Sequence, residues 1–568
     1  MKTLLYKLRN FKGANIILFI IFASTIYLQC CFFHSELGFS WDPLLVHTEF
    51  FKVSIAILIA SFVFLFKHKS WIIWVSAFIN IWGISNLTYY RSSHILIDAY
   101  SVTMIGNMDG FWDSVPFFMK LSDYYVLYTT LIVILAYILF KNNNRNISLG
   151  IIAIIISIGL HITGYEKRVR LYKYDYFIKN KVYNPFSLGN STFGCWDLYD
   201  KIFYTKETSI IHHFIYQSHY FCGNILFKST YQLTDIEENN IKNYINTGHT
   251  TPKPNRPVFI ILIESFENWV LTPTSMPNLY EFINNNNVLY SPKIITQTRG
   301  GASSDGQMIV NTGLLPTKEG AVCFRFPDNT FPAISKLYDK TFNIIPGGQS
   351  VWNQLHMNKA YKINDNIDAN NDDKLLVEQF MSMYKNYDYG MLLTMSTHSP
   401  FSSFAHLSSL SLPDDMPKYM SNYIKSFNYT DKCIKPILEA IKTDEYLKNS
   451  VVVITGDHNI HSHSKREEYY KFCTEQNMNY AVMEEYCPLI IYSPDFTESK
   501  VIHDIVYQMD IFPTILSAIG CETYYWKGFG LDLLKNDLIP NRQNEMENTL
   551  NLSDKLHQAN YFKNIDGE

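Results

Sequence analysis

Hydrophobic positions divide this chain into two parts. Up to about residue 165, apolar residues run nearly unbroken for long stretches; beyond it they alternate with polar residues and turn formers. The first part holds five apolar stretches, near 14–33, 51–66, 71–90, 122–140 and 147–165. Each approaches the ~20 residues that a helix needs to cross a hydrocarbon core of roughly 30 Å. The second is the shortest, and needs tilt or help from Trp41 to Val46. These stretches predict an α-helical membrane domain of five transmembrane helices over residues 1–165. Residues 166–255 read as a connector at the membrane surface, rich in Tyr, Lys and Asn and helical in parts. The segment Thr250-Thr-Pro-Lys-Pro-Asn-Arg-Pro257 ends it, because prolines at that density break any helix.

Past those prolines, short runs rich in β-branched residues alternate with helix-period segments. Strands are expected at 258–263, 342–345, 389–395, 451–455 and 488–492. Helices are expected at 304–312, 332–340, 373–385, 416–442 and 503–519. Such alternation predicts an α/β domain with a mainly parallel sheet over residues 256–540. A segment of about 290 residues suffices for one large core of this type. Residues 541–568 read as a polar C-terminal tail that need not pack.

Lysine and arginine placement sets an orientation. Lys2, Lys7, Arg9 and Lys12 precede the first span, Lys67 and Lys69 follow the second, and Lys141 and Arg145 follow the fourth. These connections share one side, which the positive-inside rule makes cytoplasmic, and an odd number of spans then places everything after Tyr165 outside. The cluster Lys167, Arg168, Arg170, Lys173, Lys179 and Lys181 runs against that assignment, although long translocated domains obey the rule poorly. The first span is expected to stay as an anchor, because Ser24 to Cys31 offers no small-x-small cleavage signal. The formal net charge of -4, without a basic patch of the required density in the soluble part, argues against a nucleic-acid binder. The nine cysteines include Cys30 and Cys31 inside the first span and show no zinc-type spacing. Cys473 with Cys487, or Cys195 with Cys222, are candidate pairs in an oxidising exterior. The long loop Arg91 to Asp123 carries Asn107, Asp109, Trp112 and Asp113, and reads as an amphipathic surface element or a solvated loop.

The candidate chemistry sits at strand ends, where open α/β sheets gather their ligands. In Val451-Val-Val-Ile-Thr-Gly-Asp-His458 an apolar strand releases two metal-competent side chains, Asp457 and His458. His461 and His463 follow, as turn residues or as a second metal site. Val258-Phe-Ile-Ile-Leu-Ile-Glu264 repeats the design with a carboxylate. Between these edges, Thr298-Arg-Gly-Gly-Ala-Ser-Ser-Asp305 is a Gly-rich turn leading into a helix. A hydroxyl there meets free backbone N–H groups and the positive end of the helix dipole. Ser303 or Ser304 is then placed as a nucleophile, or else the pair caps the helix. A divalent cation held by Glu264, Asp457 and His458 would lower a serine's pKa without a neighbouring base. With Arg299 nearby, the same ion would offset charge on a pentacoordinate phosphorus.

Five spans followed by the Ile263-Glu-Ser-Phe266 strand end, the Gly301-Ala-Ser-Ser-Asp305 turn and the Gly456-Asp-His458 strand end resemble the lipoteichoic acid synthases and their relatives in the alkaline phosphatase and sulfatase superfamily. The resemblance covers most of the chain, including the long third loop and Asp510-Ile-Phe-Pro-Thr-Ile-Leu516. It implies a sulfatase-like catalytic domain on the extracytoplasmic face of a bacterial cytoplasmic membrane. It also implies a transferase that takes a phosphoalcohol headgroup of the phosphoglycerol type from a membrane phospholipid, carries it on its own hydroxyl, and passes it to a cell-envelope glycan or lipid acceptor. The register matches Ser303 to the family's nucleophilic threonine. The implied cofactor is one divalent cation, usually manganese, with magnesium or zinc as alternatives, bound by Glu264, Ser303, Asp457 and His458. His398, in Leu393-Thr-Met-Ser-Thr-His-Ser-Pro-Phe401, and Trp352, in Ser350-Val-Trp-Asn353, match a histidine and a tryptophan of the family's substrate pocket.

There are departures. Gln307 stands where the synthases commonly carry an acid, and Ile345-Pro-Gly-Gly-Gln349 and Asn353-Gln354 replace a His-Gly-Asn element and an arginine of the pocket. Headgroup and acceptor therefore stay open. A phosphoethanolamine transferase is the nearest alternative, although those enzymes typically carry Gly-Glu-Thr at the strand end and a disulfide-rich domain. A hydrolase of phosphodiesters or sulfate esters is another; the Cys/Ser-x-Pro/Ala-x-Arg signature of formylglycine sulfatases is missing from Ser303-Ser-Asp-Gly-Gln307. A non-catalytic sensor would have broken ligands, and all four are present.

Overall fold

The computed structural model describes residues 2–39, 46–93, 95–101, 104, 111–171, 201–222, 231–246, 252–348, 351–460, 463–476, 478, 484–536 and 539–564. These form two compact units, one of residues 1–99 with 115–228 and one of 100–114 with 229–568.

Among its described residues the first unit contains five helices long and apolar enough to cross a membrane: Ala14–Glu36, Val46–Leu65, Trp71–Ser92, Leu121–Phe140 and Ile147–Arg168. Large apolar side chains such as Trp74, Ile81, Leu131 and Ile155 are exposed on them, as lipid-facing positions are in a spanning bundle. The second helix starts at Val46, earlier than the expected 51, and so reaches 20 residues. Its polar first turns are compensated: Lys52 donates to Glu49 at 2.8 Å, Tyr27 donates to the same carboxylate at 2.7 Å, and His47 pairs with Glu207 at 2.6 Å. Trp41 to Leu45, invoked to lengthen this span, lie outside the described residues. Arg91 ties helix ends together by donating to Asp123 at 2.6 Å and to Glu36 at 2.7 Å. Part of the expected connector belongs here, as the helices Lys201–Glu207 and Ile210–Tyr220.

The second unit is built on one sheet. Its strands are β1 (Val258–Ile263), β2 (Val288–Ile295), β3 (Thr341–Pro346), β4 (Asp365–Ala369), β5 (Tyr389–Leu393), β6 (Val451–Gly456), β7 (Tyr486–Tyr492), β8 (Lys500–Val501) and β9 (Val506–Tyr507). Their order is β4-β3-β5-β1-β6-β7-β2-β8, with β9 also on β2. From β4 to β6 the sheet is parallel; β7 is antiparallel to both β6 and β2. Every residue of β1 and β6 is buried, as expected of central strands covered on both faces.

The mainly parallel α/β sheet agrees with the sequence reading, with local differences. β2 and β4 were not expected: β2 carries Pro292 at a register shift between Ser291 and Ile294, and β4 is a polar edge strand. The expected helix 332–340 is a short 3-10 turn, Ile334–Leu337, and 503–519 divides into β9, a 3-10 turn and the helix Ile511–Ala518. The segment after 540 contains the helix Met546–Ala559, which buries Leu550, Ser553, Leu556 and His557. It packs because Ser553 and His557 bond the backbone of Leu315 at 2.7 and 2.8 Å, so polar residues are accommodated inside. Cys473 and Cys487 are free and buried; Cys222 is free, and Cys195 lies outside the described residues. Asn107 and Asp109 also lie outside them, whereas Trp112 and Asp113 fall in the helix Phe111–Phe118.

Candidate functional site

Parallel strands β1 and β6 are hydrogen-bonded neighbours in register from Val258/Val451 to Ile263/Gly456. Their polar continuations therefore emerge side by side. Glu264, Asp457 and His458 are all buried, and one ligand atom from each lies within 4.8 Å of the others. His458 Nε2 is 3.2 Å from a Glu264 oxygen and 3.6 Å from Asp457 Oδ2. Ser303, in the first turn of the helix Ala302–Thr312, points its hydroxyl at the same place: Oγ donates to Glu264 Oε2 at 2.9 Å and lies 3.4 Å from His458 Nε2. Ser304 faces elsewhere, toward the Cys323 thiol. Neither serine caps the helix; Gly301 is the N-cap and makes no side-chain cap bond. Asp305 Oδ2 closes the turn by accepting from the N–H groups of Arg299 and Gly301, both at 2.9 Å.

The residues present fit a cation. Asp457 Oδ1 accepts from the N–H groups of Ser265 at 2.8 Å and His458 at 2.7 Å, but the buried Oδ2 accepts no hydrogen bond among the described residues. A buried carboxylate oxygen left so is costly unless an ion satisfies it. His458 Nδ1 donates to the Asn459 carbonyl at 2.8 Å, so in the neutral ring the Nε2 lone pair faces the carboxylates. Burial disfavours charge on all three groups. For Glu264 the adjacent His458 outweighs burial and holds its carboxyl well below the usual range. Asp457, buried and facing the charge of Glu264, is pushed up to about 8. Burial also acts against charge on His458, yet the two carboxylates beside it push the imidazole up to about 10. Two carboxylates this close favour positive charge between them.

Residues that the sequence reading did not single out hold these groups in place. Glu264 N–H donates to Thr394 Oγ1 at 3.1 Å, and Thr397 Oγ1 donates to the Glu264 carbonyl at 2.7 Å. Gln508 Nε2 donates to the Asp457 carbonyl at 2.7 Å while its Oε1 accepts from Gln297 N–H at 3.1 Å. Glu267 and Arg466, fully buried as an ion pair, clamp the loop after His458: Glu267 accepts from Ile460 N–H at 2.7 Å, and Arg466 donates to the Ile460 carbonyl. The helix carrying Ser303 approaches this loop through Gly306, where a Cβ would stand 2.4 Å from the Asp457 carbonyl oxygen. Nothing local marks these positions.

The other expected residues are placed as follows. His398 is near enough to lower the Glu264 carboxyl further by its charge. Trp352 lies in a turn with positive φ, its ring centroid 6.3 Å from that of Phe324. The next residue, Asn353, donates to the Cys323 carbonyl at 2.7 Å. Arg299 Nη2 donates to the Lys318 carbonyl at 3.3 Å. His461 lies outside the described residues, and His463 begins the helix His463–Glu475. Of the seven non-glycine residues with positive φ among the described residues, Ser265, Ala302, Trp352, Asn353 and Phe401 are at or within three residues of expected site positions. Backbone held this way is kept only where surrounding structure enforces it, and such strain gathers at functional sites.

A family model described as Sulfatase matches residues 315–521. That span includes Trp352, His398, Asp457 and His458, but not Glu264 or Ser303. Among curated proteins, the lipoteichoic acid synthase-like YvgJ of Bacillus subtilis (strain 168) is 25% identical over 336 residues, covering 53% of this chain and 54% of YvgJ. Lipoteichoic acid synthase 2 of the same organism is 24% identical over 350 residues, covering 55% of this chain and 53% of the synthase. The chain spans about half the length of the curated relatives it matches. Among solved structures, the integral membrane lipooligosaccharide phosphoethanolamine transferase A of Neisseria meningitidis shares the fold, with a TM-score of 0.50 at 12% identity over 89% of this chain and 96% of that one. Five membrane-length helices followed by a mixed α/β sheet are thus the fold that this chain shares with that transferase. In sequence the chain is similar to the Sulfatase family model over residues 315–521 and to the lipoteichoic acid synthases over about half its length.

Proposed function

We propose that this chain is a metal-dependent phosphotransferase that moves a phosphoalcohol headgroup, of the phosphoglycerol type, from a membrane phospholipid to an extracytoplasmic glycan or lipid acceptor. The observation that carries this reading is the Ser303 hydroxyl aimed at the Glu264, Asp457 and His458 cluster. Glu264, Ser303, Asp457 and His458 would hold one divalent cation, which when bound lowers the pKa of the hydroxyl and offsets charge on phosphorus. Manganese is our first choice.

In the first step the Ser303 oxygen attacks the phosphorus of the phospholipid. The bond from phosphorus to the diacylglycerol oxygen breaks, that oxygen takes up the proton lost by Ser303, and the headgroup phosphate stays esterified to Ser303. In the second, an acceptor hydroxyl attacks the same phosphorus, the bond to Ser303 breaks, and the acceptor's proton restores the serine. The positive end of the dipole of the helix that starts at Ala302 favours the phosphoryl oxygens, and Arg299 supplies a cation beside the turn. His398 and Trp352 line the headgroup side.

We infer that the α/β unit faces away from the cytoplasm, with the membrane unit bringing it to its lipid donor. Transfer of phosphoethanolamine is the second reading, supported by fold alone through the likeness to the Neisseria transferase. Purified protein with Mn and phospholipids bearing fluorescent headgroups should release diacylglycerol, and the preferred headgroup separates the two readings. Metal-loaded protein that releases none from any common phospholipid would sink both. Proteolysis of spheroplasts tests the orientation: protection of residues 260–540 would overturn it.

A further inference from the structure

We propose that Tyr100, in the connection between the third and fourth spans, is a positioning residue for the Ser303 turn; the proposal rests on the transferase reading. Although it lies in sequence among the membrane helices, Tyr100 belongs to the α/β unit. Its side chain is buried against Gly320, where an added Cβ would stand 2.6 Å from Tyr100 Cβ and 3.0 Å from Cγ. Gly320 has φ +66, so glycine is required there both by conformation and by contact. On its other side Gly320 abuts the Ser303 turn: a Cβ on Gly300 would meet the Gly320 carbonyl oxygen at 2.6 Å. Tyr100, Gly320 and Gly300 thus form a packed series with no space to spare, ending three residues before Ser303.

The strap between them is fastened at both ends. The Arg325 guanidinium lies over the Tyr100 ring, 4.2 Å from its centroid, and donates to Thr317 Oγ1 at 2.5 Å and to the Glu319 carbonyl at 2.7 Å. Arg299 donates to the Lys318 carbonyl at 3.3 Å, so the 317–320 strap also holds the arginine of the turn. Removing the ring leaves a gap under Gly320, and the strap can then relax away from Gly300. The turn that aims Ser303 at Glu264 loses its support while the metal ligands on β1 and β6 keep theirs. Misplacement of a reacting group by about 1 Å costs roughly a hundredfold in rate.

The test compares Tyr100→Ala and Tyr100→Phe in the full-length protein. Tyr100→Ala is expected to lower kcat for diacylglycerol release by roughly 10- to 100-fold, leaving KM close to wild type. Hydrogen exchange of the 299–306 peptide should quicken, and Tyr100→Phe, which keeps the ring, should restore both. Wild-type kcat and exchange in Tyr100→Ala would overturn the proposal, as would Tyr100→Phe matching the alanine variant. Should Tyr100→Ala fail to fold, Arg325→Met removes the bonds to the strap while keeping side-chain length; the same kcat-selective loss is expected, and an unchanged kcat refutes the role. Inactive wild-type protein would sink the transferase reading instead, and the exchange measurement alone would then decide the positioning role.

Discussion

The Ser303 hydroxyl lies 2.9 Å from Glu264 Oε2, so the start of one helix and the end of the central strand meet at a single point. Ser303→Ala should lower headgroup transfer by at least about 10³-fold, as losses of a nucleophile do, and should abolish the covalent adduct. Ser304→Ala, whose hydroxyl faces Cys323, should stay within a few-fold of wild type by the scale of ordinary packing changes. Mass spectrometry of the peptide spanning 298–316 checks both; an adduct that survives in Ser303→Ala and vanishes in Ser304→Ala moves the nucleophile by one residue.

The unbonded Asp457 Oδ2 makes cation binding a stability term. At a cation concentration near 100 times its Kd, the folded state gains about 2.7 kcal/mol. Chelation should therefore lower the melting temperature of wild-type protein. Asp457→Asn should weaken Mn affinity by more than the roughly 10- to 100-fold typical of residues behind the ligands, and its melting should no longer respond to EDTA. Titration calorimetry and melting curves with and without chelator measure this, and equal Mn affinity in the variant would remove Asp457 from the ligand set.

Gly306→Ala sets two effects against each other. Alanine favours a helix interior over glycine by about 1 kcal/mol, but here its Cβ would stand 2.4 Å from the Asp457 carbonyl oxygen, a backbone atom that cannot swing aside. Overpacking of this kind costs about 1–3 kcal/mol, so the variant should be less stable and should bind Mn more weakly. Denaturant titration decides the sign; a stabilised variant would mean that the helix and the Asp457 loop separate without cost.

Acid stability should depend on His557. Burial holds its imidazole down to about 4, and its Nε2 donates to the Leu315 carbonyl at 2.8 Å. An unfolded histidine titrates near 6.5, so between those values the unfolded chain binds the extra proton. The contribution is therefore complete above about pH 6.5 and is lost as pH falls toward about 4, at up to about 1.4 kcal/mol per pH unit. Melting temperatures across that window should show the decline in wild-type protein and a flatter profile in His557→Gln. Identical slopes would assign the acid sensitivity to other groups.

Much of the fold was legible because burial imposes local patterns. β1, β5 and β6 are short apolar runs and were readable as strands; Glu264, Asp457 and His458 stood out as the polar residues where two such runs stop. β4, with Asp365 and Asp368 in five residues, was not readable, because an edge strand is ordered by backbone pairing to β3 rather than by its own hydrophobicity. The helix Met546–Ala559 looked like a solvated tail for a related reason: it buries Ser553 and His557, whose cost is offset by bonds to Leu315, a partner more than 200 residues away in sequence. Gln508 and Glu267 were equally silent, since each acts on the Asp457–Ile460 loop from a distant part of the chain.

By itself, the sequence determined five spans, a mainly parallel sheet and the carboxylates and histidine at its strand ends, because these follow from apolar runs and where they break. Only the tertiary structure decided that the hydroxyl of Ser303, and not that of Ser304, reaches Glu264. Neighbouring residues on a helix point about 100° apart, and no local signal says which direction faces the sheet. That choice is made by how the helix docks, through the close approach of Gly306 to Asp457 and the turn closed by Asp305.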